Sequence, residues 1–144
     1  MTIRIAPNRF DPIVDENGVP SLRFSDVVED LISDVNDLLE PSINTQDSDY
    51  TLVLEDAGKI IRKTSSTNFQ DYIIPANSAV AFPVVTRVEF QNDGSSDMNI
   101  DIDTDTLESE AGLGTGKRTI APGGSAIATK VATTKWKIRG QQLT

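Results

Sequence analysis

Asp101-Ile102-Asp103-Thr104-Asp105 places carboxylates at alternate positions, as a loop that wraps a calcium ion does. Such a loop also needs a glycine at its sixth position and a bidentate glutamate at its twelfth. Counted from Asp101, those places hold Thr106 and Gly112; counted from Asn99, they hold Thr104 and Glu110, so only the last ligand of the second register is met. The expectation is an alternating strand with Ile100 and Ile102 inward and the acids outward. Gly112-Leu113-Gly114-Thr115-Gly116-Lys117-Arg118 contains the Gly-Lys pair of a phosphate-binding loop. That loop requires Gly at 111 and Ser or Thr at 118, where this chain has Ala111 and Arg118, and a helix should follow, where a β-type run does. A hairpin loop is expected instead.

The chain has no histidine and no cysteine. Imidazole bases, Ser-His-Asp relays, thiol nucleophiles, disulfides and the usual zinc ligands are thereby removed together. Its 22 Asp and Glu residues offer many carboxylate pairs of the kind glycosidases use, and nothing singles out two of them. The reading is non-enzymatic, with no catalytic, cofactor-binding or metal residue assigned. A formal net charge of −9 with no basic cluster repels phosphates, so no nucleic-acid partner is expected. No apolar run approaches the roughly 20 residues that span a bilayer, and Met1-Thr2-Ile3-Arg4-Ile5-Ala6-Pro7 lacks a signal core. A soluble chain without membrane partner or export signal is expected.

Three kinds of segment must position whatever function remains. Residues 1 to 23 contain Pro7, Pro12, Pro20 and the turn formers Asp15-Glu16-Asn17-Gly18, too many breakers for a long helix or a central strand. They read as an extended arm. Its apolar residues, Phe10 and Ile13 among them, exceed what a linker needs and suit packing on the chain's own β domain or on a neighbouring protein. From Ser25 to Leu39 the period becomes helical: Phe24, Val28, Leu31, Val35 and Leu38 recur at spacings of four, three, four and three. Asp26 with Glu29 suits a capping box, and Pro41 ends the segment. A helix of this length is marginal alone in water, so its stripe must be buried, by self-association or against the β domain.

The polar stretch 42–49 reads as a linker between an N-terminal attachment and oligomerisation unit, residues 1–41, and an all-β domain, residues 50–144. Eight β-type runs follow: Tyr50 to Leu54, Lys59 to Lys63, Asp71 to Ile74, Arg87 to Gln91, Met98 to Asp103, Lys117 to Ile120, Ala126 to Ala132 and Lys135 to Arg139. Turn chemistry separates them, including Asp56-Ala57-Gly58, Pro75-Ala76-Asn77-Ser78 and Pro122-Gly123-Gly124-Ser125. In the last run Trp136 and Ile138 share one face, with Lys135, Lys137 and Arg139 on the other, which makes Trp136 a core anchor. The expected fold is mainly β, an N-terminal extended arm and one short helix followed by an antiparallel β-sandwich or barrel-like domain.

Tyr50-Thr51-Leu52-Val53-Leu54-Glu55-Asp56-Ala57-Gly58-Lys59, then Ile74-Pro75-Ala76-Asn77-Ser78-Ala79-Val80-Ala81-Phe82-Pro83, a Gly-rich region and a closing Trp strand follow one another in this order. This succession resembles a β module of bacteriophage fibre, tail-associated and head-associated proteins, over residues 50 to 144. The acidic stretch Asp101 to Glu110 departs from the module. Asn8 to Gly18 is similar to N-terminal segments of phage structural proteins. The resemblance implies a virion location, with synthesis in the host cytoplasm, and a trimer. A capsid-decorating or head-fibre protein held by its arm and helix to a major capsid or tail protein is the leading expectation. A tail-fibre knob binding a host receptor or glycan through Tyr50, Phe69, Tyr72 or Phe82 is the alternative, and a depolymerase is a third reading that this short chain disfavours.

Overall fold

A computed structural model describes residues 12–14, 20–23, 27–33, 42–65 and 69–144. The chain divides into two compact units, Met1–Glu40 and Pro41–Thr144. In the first, strands β1 (Pro12–Val14) and β2 (Pro20–Arg23) pair antiparallel. The expected arm thus carries a short hairpin, with a proline opening each strand, where a missing N–H is tolerated. Helix α1 covers 27–33, inside the expected Ser25–Leu39.

The second unit is a mixed sheet curled into a half-barrel. Its strands are β3 (Ile43–Thr45), β4 (Tyr50–Thr51), β5 (Ile60–Lys63), β6 (Gln70–Ile74), β7 (Arg87–Asn92), β8 (Met98–Ile102), β9 (Thr106–Ser109), β10 (Arg118–Ala132) and β11 (Lys135–Leu143). The order is β3-β5-β7-β10-β8-β6-β4, with β11 beside β10 and β9 beside β11. Strands therefore pair with the next but one in sequence. β3, β5 and β7 run parallel in one wall, and β4, β6 and β8 run parallel in the other. The chain winds from wall to wall, and among the described strands of this unit the antiparallel pairs all involve β10, with β7, β8 and β11.

Alternation explains the core. Inward positions on β5 to β8 hold Ile61, Tyr72, Ile74, Val88, Phe90, Met98 and Ile100, all buried, and both walls contribute to one hydrophobic cluster with Trp136 and Ile138. Each large apolar side chain so buried contributes roughly 1.5–3 kcal/mol. Trp136 and Ile138 face inward and Lys135, Lys137 and Arg139 outward, as their alternation requires.

Three features differ from the expectation. Parallel pairing replaces hairpins over much of the sheet, because the short connections carry the chain to the opposite wall instead of back along the same one. The stretch 42–49, read as a linker, supplies β3 and leads into β4 at Tyr50. Pro122-Gly123-Gly124-Ser125, read as a turn, lies inside β10. Gly123 at φ 77° kinks the strand without reversing it. Arg118–Ile120 pair with β8 in one wall, and Ser125–Thr129 with β7 in the other.

Candidate functional site

The attachment residues named from sequence fall mostly beyond what the structure describes. Phe10, Phe24, Val35 and Leu38 lie outside the described residues, and Ile13 belongs to β1. On α1, Val28 is partly buried, while Leu31 is 61% exposed and Ile32 53%. Val28 and Leu31, three residues apart, share one side of the helix.

The Asp-Ala-Gly turn is built around a buried carboxylate. A 3-10 turn at Leu54–Asp56 brings Asp56 under the sheet, where it is 1% exposed. Its Oδ1 accepts Asn44 Nδ2 at 2.8 Å, and its Oδ2 accepts Tyr50 Oη at 2.8 Å and the Val53 N–H at 2.9 Å. β3, β4 and the turn are thereby tied to one anion. Burial, followed by the bond to Asp56, raises the Tyr50 phenol above its ordinary value. Gly58, at φ 81°, completes the turn and donates its N–H to Arg87 O.

A second cluster gathers the other motif. Phe82 meets Trp136 edge to face, with centroids 5.5 Å apart at 83°. Lys130, 1% exposed, lies with its Nζ 5.8 Å from the Trp136 ring centroid and donates to Asn77 Oδ1. The Asn77 N–H in turn donates to Asp105 Oδ2 at 3.0 Å. Phe82 thus meets the closing Trp strand directly, and Asn77, earlier in the same Ile74–Pro83 stretch, meets it through a lysine that composition did not single out. Its signal was parity: Lys130 follows inward Ala126 and Ala128 at alternate positions.

Lys63 occupies the inward position after Ile61 and is fully buried. Its Nζ donates to Ser96 O at 2.7 Å, Ser96 Oγ at 2.8 Å and Asp97 O at 2.8 Å, which uses all three ammonium donors. Asn92 holds the same loop, donating to Ser96 O and Ile120 O and accepting the Gly94 N–H. Burial lowers the Lys63 amine from its ordinary value, the direction that suits a nucleophilic lysine. With no exposed surface and three acceptors engaged, it has no route to a substrate. It acts as a plug that gathers the β7–β8 loop.

Nearby, Asp47 accepts the Thr64 N–H, Thr64 Oγ1 and the Ser65 N–H, each at 2.7 Å. The Thr64 hydroxyl, with the backbone donors behind it, holds this carboxyl below its ordinary value. A carboxyl so lowered stabilises the fold fully above its unfolded pKa, and that stability is lost as pH falls through the folded one. Asp47→Asn should therefore flatten the decline in denaturation midpoint below about pH 4. Parallel urea titrations of both proteins across acid pH check it; identical slopes would show that Asp47 is not the group responsible.

Asp101 lies on the outward side of β8 as foreseen, but the strand ends at Ile102 and residues 103–105 form a bend, with Asp105 accepting the Asn77 N–H. Ile100 is fully buried and Ile102 packs against the core, while Asp103 is exposed. No group of three or more potential metal ligands occurs among the described residues. The Gly loop, 112–116, points carbonyls at Arg118: its guanidinium donates to Leu113 O at 3.0 Å and Gly114 O at 2.6 Å. Converging carbonyls around a resident cation are the reverse of a phosphate cradle, which presents N–H groups. Of the aromatics considered for glycan stacking, Tyr72 and Phe82 are buried, Tyr50 is partly buried, and Phe69 is 71% exposed. No described helix is long and apolar enough to cross a membrane. Compared with protein-family models, curated proteins and solved structures, the chain finds no match.

Proposed function

We propose that this protein is a non-enzymatic structural component of a bacteriophage particle, a capsid-decorating or head-fibre protein that forms a trimer. In this reading the helix carries the self-association and the arm grips a major capsid or tail protein, while the half-barrel projects. The observation that carries it is the exposure of Leu31 and Ile32 on α1, which leaves an apolar stripe that water alone does not tolerate well. The order of motifs from Tyr50 to Trp136 supports the phage setting. The fate of the polar residues supports a scaffold role: Asp56, Lys63, Arg118 and Lys130 are buried and bond to strands and loops of the same unit.

Light scattering on the full chain should give three times the monomer mass. Leu31→Asp should shift it to monomer, since each copy loses about 2 kcal/mol of apolar burial and gains a charge in the seam. A monomeric native chain, or a trimer indifferent to the substitution, refutes the helix reading. Localisation in intact particles by cryo-electron microscopy tests the virion assignment. Phe69 favours the receptor-binding alternative, and loss of cell or glycan binding on Phe69→Ala would support it.

A further inference from the structure

Residues 42–144 contain ten Lys and Arg residues, of which Lys63, Arg118 and Lys130 are buried. Six of the other seven, Lys59, Arg62, Arg87, Lys135, Lys137 and Arg139, lie on the outer face of the β3-β5-β7-β10-β11-β9 wall or at its rim. Four carboxylates share that face, Asp93, Glu108, Glu110 and Glu89, and the first three pair with Arg62, with Lys135 and Lys137, and with Arg139. A surplus of two positive charges remains in a chain whose net charge is −9. Lys59 and Arg87 have no ion pair among the described residues and flank a shallow groove of about 220 Å³ floored by Ile60 and Ile127, where Glu89 is the one acid against these two cations.

The outer face of the β4-β6-β8 wall has the opposite character. Asp49, Asp71, Asp101 and Asp103 stand there against Lys117 alone, a surplus of three negative charges. Asp101 and Asp103 have no ion pair among the described residues and flank a groove of about 450 Å³ lined by Ile73, Pro75 and Ile102. Each face therefore joins an apolar floor to unpaired charge, and the signs are complementary.

We propose that these two faces form a contact between copies of this chain, the Lys59 and Arg87 rim of one copy docking on the Asp101 and Asp103 rim of the next. The two patches lie on the outer faces of different walls, so a contact that pairs one with the other relates the copies head to tail. It rests on the reading that copies of the chain associate, and adds to the helix a second interface within the β unit. Desolvating unpaired charges against opposite ones favours register and specificity, and the apolar floors supply the area.

The test is carbodiimide cross-linking of the full chain, mixed from isotopically light and heavy copies so that links between copies are distinguished from links within one. A Lys59 to Asp101 or Asp103 link between copies is expected, falling by at least about tenfold between low and high salt. Lys59→Glu with Arg87→Glu, or Asp101→Lys with Asp103→Lys, should each remove it. The quadruple variant, with both rims reversed, should restore association and also shows that the substitutions leave the fold intact. Links confined within one copy, or a quadruple variant no better than either double one, would overturn the proposal. Leu31→Asp separates the two interfaces: loss of links in that variant alone, with the charge pairs inert, leaves only the helix contact standing.

Discussion

Trp136→Ala is expected to lower the stability of the β unit by about 4 kcal/mol, the upper part of the range for removing a buried aromatic side chain. The indole is 1% exposed, lies edge to face with Phe82 and has the Lys130 ammonium over its ring. Truncation leaves a cavity between the walls and strips a buried ammonium of the ring it faces, so two penalties fall together. For a unit of this size the melting temperature should fall by roughly 15–25 °C, measured by circular dichroism at matched concentration. Trp136→Phe keeps the apolar contact and should recover about half of the loss. A fall under 5 °C for the alanine variant would show that the two walls do not depend on this side chain.

Asp56→Ala should be the second most damaging substitution, at about 3 kcal/mol. The carboxylate, itself nearly closed to water, accepts from Asn44, Tyr50 and Val53, and its removal leaves three partly buried donors without it. Unsatisfied buried donors are destabilising by about 1–3 kcal/mol each, less whatever entering water restores. Tyr50→Phe deletes one of the three bonds and should lose about 1 kcal/mol. Because both substitutions break the same network, the double variant should be less destabilised than the sum of the two. Guanidinium titration of the four proteins gives the comparison, and strict additivity would mean that the three bonds do not act together.

The strands with clean alternation were legible. Tyr72, Ile74, Val88, Phe90, Met98, Ile100, Trp136 and Ile138 are spaced by two within their runs, and the sheet buries them as that spacing requires. β3 and β9 escaped because each has one apolar residue; Ile43-Asn44-Thr45 is held by Asn44 bonding to Asp56 and by backbone pairing with β5. Strand direction was not legible, since a period of two is the same read either way, and short gaps suggest hairpins even where the chain crosses between walls. Charge type misled in another way. Lys63 and Lys130 sit at inward parity, and only the loop acceptors and the ring that meet them reveal why burial is tolerated. The Gly-Lys stretch turns its carbonyls of Leu113 and Gly114 onto Arg118, and the alternating acids give only Asp101 to β8 before that strand ends at Ile102.

A single fifteen-residue segment, Arg118–Ala132, is shared by both walls, and β9 has its only strand partner in β11. No nascent polypeptide that stops short of these residues can satisfy the exposed edges of β7 and β8. Synthesis on the ribosome must therefore hold an open, adhesive intermediate until the last hairpin emerges, and the rate of closure is governed by pairings distant in sequence. Copies emerging side by side from one messenger would meet in that state, before any of them is sealed.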